Sequence, residues 1–298
     1  MSKKKSKGIA YDASEKFVAG LAYVVMGIAT LVCILPCLHI MSKSVSLGTY
    51  VTQGAITFFP KGFQTEAIEY ILTKTDFFNS LKNSLIVTGF GTAIALFTSI
   101  TTAYPLSKTD FKGRKVITLL YVFSMVFFGG MIPAYMVIKM LGIYDTYAAC
   151  ILPYAIVQFN MFIVKNYFEG LPETVEESAR IDGAGDIRTL ASIVCPMSTP
   201  VIATVGLLYA ITYWNNYFHA MMYTNSPSMK TLQVYLYDLI NQGGGYLENL
   251  TGGTLTPNIT TEGLIAAAVT LSIIPIILLY PLVQKFLVKG ITIGSVKG

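Results

Sequence analysis

Charge is what this chain has least of. Asp, Glu, Lys and Arg make up 12% of its 298 residues and hydrophobic residues 53%, whereas a soluble domain carries roughly 25% charged residues. That deficit excludes an ordinary soluble globule and points to a chain that crosses a membrane repeatedly. Histidine is scarce as well: His39 ends one apolar segment and His219 lies within another. With no HExxH, no paired carboxylates and no Ser/His/Asp arrangement, neither metal-dependent nor nucleophilic chemistry is expected, and no catalytic or metal-ligating residue is assigned. Cys33, Cys37, Cys150 and Cys195 lie in or beside apolar runs; a CxxxC spacing for the first two fits no metal or disulfide framework, so all four read as small buried hydrophobes. No GxxxxGK[ST] occurs, so the chain has no phosphate cradle of its own. The net charge of +5 could suit nucleic acid, but in a membrane chain the placement of positive charge matters more than its sum, and no nucleic-acid partner is expected.

What the chain does have is long apolar runs. A helix needs about 20 mostly apolar residues to cross the hydrocarbon core. Phe17 to Met41 contains no Asp, Glu, Lys or Arg. It follows the basic stretch MSKKKSK, yet it is too long for a signal peptide and lacks an A-x-A cleavage pattern, so it reads as a retained first span after a tail of residues 1–16. The further runs are Asn83 to Leu106, Val116 to Leu141, Tyr147 to Val164, Thr199 to Tyr223 and Gly263 to Val288. The expected fold is therefore an all-α integral membrane protein with six transmembrane helices, its core covering residues 83–288. Placing the N-terminus in the cytoplasm puts 15 Lys and Arg inside and six outside, while acidic residues divide 9 to 7. Lys and Arg set topology, so both termini, including the tail 289–298, and the loop 172–196 are expected to be cytoplasmic. Residues 42–82 and 224–262 then lie outside. Pro36, Pro105, Pro133, Pro153, Pro275 and Pro281 fall within the spans, where each can kink a helix if neighbours satisfy the freed carbonyls.

The loop 172–196 is the polar exception. Leu171-Pro172 ends the preceding helix, and Thr174-Val175-Glu176-Glu177 fits a capping box in which Glu177 reaches back to Thr174. Glu176 and Arg180 stand at i and i+4, which adds about 0.2–0.5 kcal/mol. Gly183 can take the left-handed conformation that stops a helix; Asp186 is placed to cap a second one, IRTLASIVC, halted by Pro196. One reading is an amphipathic connector resting on headgroups and the other a docking surface for a partner. The mixture of acidic and basic residues argues against simple attraction to anionic lipid, and the short side chains at Gly183, Ala184 and Gly185 would let another surface approach closely.

Glu177-Ser178-Ala179-Arg180-Ile181-Asp182-Gly183-Ala184, followed by Ile193 and Pro196, resembles the "EAA" loop of permease subunits in binding-protein-dependent ABC importers. Ser178 stands in place of the second motif residue and Cys195 in place of the usual leucine. The stretches NSLIVTGFGTAIALFTSITTAYPLS, FFGGMIPAYMVIKMLGIYDTYAACILP, YWNNYF and QKFLVKGITIGSVKG are similar to the MalG-like carbohydrate permeases, and among these to the LplC-like or aldouronate-type group. The resemblance implies a type I importer permease fold in the plasma membrane, passing a sugar, in particular an oligosaccharide, that an extracellular solute-binding protein delivers. It implies a second homologous permease forming a heterodimer, and two ABC ATPase subunits that bind ATP and Mg, with no cofactor in this chain. Glu177, Ser178, Ala179, Asp182, Gly183 and Ala184 would then be the coupling helix seated in an ATPase cleft. An ion-driven secondary transporter is the alternative, although it would be expected to carry charges within its spans; a membrane scaffold is a third.

For the substrate path, Trp214, Asn215, Asn216 and Tyr217 combine amides, which bond hydroxyls, with aromatic faces on which sugar rings stack. Gln158 and Asn160 in the fourth span are candidates on the same grounds. Against this, aromatics form interfacial belts and Asn residues tie helices together. In the outer loop, Gly243, Gly244 and Gly245 are either a flexible linker or, by the resemblance, part of a contact with the binding protein.

Overall fold

The computed structural model describes residues 13–127, 129–241 and 258–294. The basic stretch before residue 13, the glycines Gly243, Gly244 and Gly245 and the tail beyond 294 lie outside the described residues. The chain forms two compact units, one from residues up to 71 with 253–270 and one from 72–252 with 271 onward. Apart from one antiparallel bridge between Ser46 and Phe63, the regular structure among the described residues is helical.

In the first unit, α1 (Ala13–Ser44) runs through Pro36 without ending. Cys33 and Cys37 are exposed on it, so they belong to an outward apolar surface and not, as expected, to a core; only Cys150 is buried. The end of α1 is held by polar contacts: the Ser42 hydroxyl donates to the Phe58 carbonyl at 2.6 Å and Lys43 pairs with Glu262 at 3.2 Å. The short helix α2 (Gly48–Thr52) starts where Gly48 donates to the Asn258 carbonyl at 3.0 Å. A Cβ at Gly48 would stand 2.5 Å from that oxygen, which is why glycine opens this helix.

Helices α3 (Glu66–Lys74), α4 (Phe77–Ser107), α5 (Arg114–Val126), α6 (Met131–Met140), α7 (Tyr147–Ile151), α8 (Gln158–Glu169), α9 (Glu173–Ile181), α10 (Asp186–Thr189), α11 (Cys195–Met197), α12 (Thr199–Trp214), α13 (Phe218–Tyr223) and α14 (Leu232–Asn241) follow, and α15 (Thr261–Gly294) is the last described. The second unit is organised around α4, which buries Val87, Gly91, Ala95, Ser99 and Ala103. Residues four apart share one helix face, and this face is small enough for α12 to approach closely, as small residues allow between membrane helices. A Cβ at Gly91 would meet the Tyr213 ring at 2.7 Å, and one at Gly206 would meet Leu96 at 3.1 Å. Buried Met161, Val164 and Phe168 of α8 and Val201, Val205 and Tyr209 of α12 complete this core with the α4 stripe.

Three helices are each long and apolar enough to cross a membrane, in α1, α4 and α15; three bent pairs meet the same test together, giving six spans if each pair is one. The third and fourth expected runs are thus bent pairs, whereas the fifth, Thr199 to Tyr223, departs from expectation in its bounds: α12 ends at Trp214, and the pair that meets the test joins it to Asp186–Met197, residues expected to lie in the polar loop. The fourth bends by 50° between Tyr154 and Gln158, where Pro153 cannot donate to the helix ladder. Side chains of α4 and α12 take up the freed backbone groups. Tyr213 donates its hydroxyl to the Ile151 carbonyl at 2.9 Å, Thr98 donates to the Ala155 carbonyl, and the Val157 N–H donates to the Tyr209 hydroxyl at 3.0 Å. The Tyr209 hydroxyl also lies 2.7 Å from that of Ser99.

At one end of this unit, the Asn83 amide donates to the carbonyls of Ser228 and Lys230, both at 2.8 Å, and its oxygen accepts from Tyr147 at 2.7 Å. Asp145, in the left-handed region at φ 60°, donates its N–H to the Tyr223 carbonyl at 2.9 Å. Its carboxylate accepts from the Ser226 hydroxyl and from the N–H groups of Ser226 and Asn225.

Two predictions follow from these contacts. Tyr209→Phe leaves the Val157 N–H without its acceptor, so thermal unfolding in detergent should report a loss of about 1–3 kcal/mol; an unchanged melting temperature would remove the hydroxyl from this role. The three donors to Asp145, the Ser226 hydroxyl first, hold its carboxyl below the usual carboxylate range. A lowered folded value stabilises the ionised form, so the contribution is present above the unfolded value of about 3.9 and lost as pH falls through the folded one. Amide protection at Asn225 and Ser226 should therefore stay level from neutrality to about pH 4 and fall below it; a decline centred near pH 6 would contradict this assignment.

Candidate functional site

The polar loop folds as two helices about a glycine turn, as its sequence pattern requires, but the details differ. Helix α9 begins at Glu173 with Pro172 before it, and no side chain caps it. Proline with fixed φ supplies the entry that the capping box was expected to supply. Thr174 is inside the helix, its carbonyl accepting from the Ser178 hydroxyl at 2.8 Å. Gly185, not Asp186, occupies the cap position of α10, and it offers no side chain. Gly183 has φ +79° and stops α9, as expected. Pro196 does not halt the second run, which continues through a π-helical stretch, Leu190–Val194, to Met197. The chain then turns by 85° into α12.

The expected Glu176–Arg180 pair is absent. Glu176 is 9% exposed and turns toward α4, where Lys108 donates to both of its carboxylate oxygens and the Tyr104 hydroxyl lies 3.3 Å away. Arg180 instead approaches Asp186 at 3.8 Å, across the turn. Glu177, one residue on and so rotated by about 100° around the helix, is exposed. Ser178, Asp182 and Gly183 are exposed with it, Ala184 is half-buried, and Ala179 is buried beneath them. Sequence reasoning missed two residues on this surface. Ile181 and Ile187 are 82% and 85% exposed, one on either side of Gly183, and an apolar side chain offered to water on a polar helix signals a contact surface. The signal was present as isolated isoleucines in a charged segment.

A second ionic cluster lies beside the loop. Glu169 at the end of α8 accepts from Lys165 at 2.7 Å and from Arg114 of α5. A pocket of about 340 Å³ lies between this end of α8 and α9, with Lys108, Glu169 and Glu176 in its wall. α9 is thus tied to the end of α4 by the Lys108–Glu176 pair, and the helical run from Asp186 leads from the same loop toward α12.

The substrate-path candidates separate. Asn215 bonds its own helix, its amide donating to the Ile211 carbonyl at 3.0 Å. Tyr217 stacks on Tyr237 with centroids 5.3 Å apart, and Gln158 donates to the Ser124 hydroxyl at 3.2 Å. Asn160 is buried in α8. Trp214 and Asn216 stand apart, because the Trp214 Nε1 and Asn216 Nδ2 donors are buried with no partner among the described residues.

A family model described as "binding-protein-dependent transport system inner membrane component" matches residues 95–293. The chain is 42% identical to Protein LplC of Bacillus subtilis (strain 168), covering 90% of each chain. It is 39% identical to the polygalacturonan/rhamnogalacturonan transport system permease protein YtcP of the same organism, covering 93% of this chain and 97% of that one. Among solved structures, a chain of a bacterial ABC transporter involved in the import of the acidic polysaccharide alginate superposes with a TM-score of 0.86 at 34% identity, covering 93% of this chain and 99% of that one.

The Glu176–Lys108 pair carries a prediction of its own. Glu176→Ala leaves Lys108 with its charge half-buried and unpaired, at a cost of about 1–3 kcal/mol given partial solvent access. The Glu176→Leu, Lys108→Met double variant should lose less than either single change, since no charge is then stranded. Melting of the three proteins in detergent checks this, and additive losses would show that the two residues do not act together.

Proposed function

The chain belongs to the family of inner membrane components of binding-protein-dependent transport systems, and from that membership we propose how it performs its part in ATP-driven import. It is a transmembrane permease subunit of an ABC importer and not an enzyme, which sets aside the ion-driven and scaffold readings. The sugar it passes is an oligosaccharide, a reading supported by the polysaccharide-derived substrates named for its relatives. Residues 173–189 are the coupling segment, lying on the cytoplasmic side with both termini, as the excess of Lys and Arg on that side supports. The observation that carries this reading is the pairing of an exposed face with a clamped one. Glu177, Ile181, Gly183 and Ile187 are offered outward while Glu176 is held to α4.

In this mechanism the exposed face seats in a groove of an ABC ATPase subunit. Ser178, Asp182 and Ala184 flank the contact, and the buried Ala179 keeps α9 close to the bundle. When two ATPase subunits close on ATP and Mg, the seated segment moves as a rigid body, and its two attachments pull α4 and α12 with it. A second, homologous permease supplies the other half of the path, as a heterodimer. The extracellular solute-binding protein presents the sugar at the opposite side, where the loop containing Gly243, Gly244 and Gly245 is the proposed contact. Within the path, Trp214 and Asn216 are favoured over Asn215, Tyr217, Gln158 and Asn160. Their unpaired donors are suited to sugar hydroxyls, and an unpaired buried donor costs about 1–3 kcal/mol unless a ligand or water satisfies it.

The test uses the complete complex in proteoliposomes with its binding protein and a sugar that it carries. Gly183→Trp places bulk on the outward face, where a Cβ meets nothing within 4 Å, and should lower ATP-driven uptake by tenfold or more, about 1.4 kcal/mol of coupling at the least. Glu177→Lys should do the same while the protein remains inserted and monodisperse. Gly183→Ala separates the backbone effect, which is about 1–2 kcal/mol for a left-handed residue. Uptake at the unsubstituted level in a well-folded Gly183→Trp complex would overturn the coupling role.

A further inference from the structure

Between α5 and α8 lies an open groove of about 730 Å³ that the transport mechanism does not use. One end is cationic: Arg114, Lys115 and Lys165 line it. Its wall beyond them is apolar, made by Val116, Leu119 and Val122 of α5, of which Val116 and Leu119 are 63% and 67% exposed. The groove thus changes within two helical turns from a cluster of cations to a surface fit only for hydrocarbon.

The charge arrangement at the polar end is costly as it stands. Arg114 and Lys115 are the first two residues of α5, and no acidic residue lies in its first turn nor any side-chain cap before it. Cations at a helix N-terminus oppose the helix dipole, which favours negative charge there. Glu169 is the only carboxylate paired with these cations among the described residues, and it is shared by Lys165 and Arg114, leaving the cluster positive. Lys115 forms no ion pair among the described residues. A buried Thr118 hydroxyl in the groove wall likewise has no partner among the described residues.

We infer that this groove is a binding site for an anionic phospholipid, with the headgroup phosphate at Arg114 and Lys115 and the acyl chains along Leu119 and Val122. Charge complementarity selects the phosphate, and the apolar wall selects a lipid over a free anion. A soluble protein partner is the less fitting occupant, because the wall runs along a helix that forms part of a membrane-spanning pair; the second permease subunit is separated from lipid by the cross-linking outcome below. A basic pocket between membrane helices recognises headgroups through the same forces, at about fivefold in affinity for each cation near the surface. The site does not depend on the coupling role of residues 173–189.

The experiment is native mass spectrometry of the complete complex in detergent, offered phosphatidylglycerol or phosphatidylcholine of the same acyl composition. Phosphatidylglycerol should be retained in preference, and Lys115→Gln should lower that preference by about fivefold with the melting temperature unchanged. Leu119→Asp, which spoils the wall and leaves the cations, should weaken both lipids together. Equal retention of the two lipids by the unsubstituted complex would overturn the proposal without recourse to any variant. So would displacement of phosphatidylglycerol by inorganic phosphate as readily from the Leu119→Asp complex as from the unsubstituted one, or protection of Lys115 by another subunit in cross-linking of the complex.

Discussion

Inside hydrocarbon no water is available to a peptide group that leaves a helix, and this chain frees several between Ile151 and Val157. Irregular backbone at such a depth persists only when protein satisfies it. The requirement determines much of what surrounds the break. Tyr213, Thr98 and Tyr209 supply hydroxyls to Ile151, Ala155 and Val157, and these side chains belong to the two helices that sandwich the break. Tyrosine suits the task because its ring fills the core while its hydroxyl reaches a polar group at the far end. The same rings set the geometry of the helix pair. Tyr213 lies so close to α4 that position 91 has room for glycine alone, and the small stripe on α4 continues from there through Ala95, Ser99 and Ala103. A bend in one span, the residue choice in a second and the aromatic residues of a third are therefore a single solution.

Much of the architecture was legible in the sequence, because a transmembrane run announces itself by length and lack of charge. The glycine turn in the polar loop was legible for a comparable reason, since few residues other than glycine adopt φ near +80°. The breaks were less so. Pro36 and Pro105 lie inside continuous helices, whereas Pro153 lies in a break, and nothing in their immediate neighbours separates the cases. The distinction rests on whether partners distant in sequence, such as Tyr209 and Tyr213, can take up the freed groups. A pattern of period 3.6 contains no information about them. The helix starts in the polar loop went astray on smaller margins: a capping box competed with a proline entry, and the chain took the proline.

The site divides along the same line. The stretch Glu177 to Gly183 could be singled out because a local motif on one helix does not depend on the rest of the fold, and Glu177, Ser178, Asp182 and Gly183 are exposed, whereas Ala179 is buried. Glu176 could not. Beside an arginine four residues on it fits a local ion pair, yet the pair to Lys108 is the one formed. An exposed i, i+4 pair contributes only about 0.2–0.5 kcal/mol, which is easily outweighed by a half-buried bidentate contact that also engages Tyr104. The tertiary contact wins by magnitude, and magnitude of that kind cannot be read from spacing.

Adjacent glutamates consequently do opposite things, and the mechanical reading depends on that. A helix turn of about 100° per residue carries Glu176 toward α4 and leaves Glu177 exposed, so under the proposed coupling role the contact and its anchor are neighbouring residues of one helix. Had both faced outward, α9 could have rolled against the bundle without moving it. The second attachment differs in kind, being a covalent helical run that contains a π turn before the 85° bend into α12. A π turn carries i→i+5 hydrogen bonds and appears mostly as a single turn inside an α-helix, frequently at functional sites. The segment is thus joined to α4 by an ion pair and to α12 by a helical run with a π turn and a bend. Under the proposed coupling role, a displacement of the segment would reach α4 through side chains and α12 through the backbone.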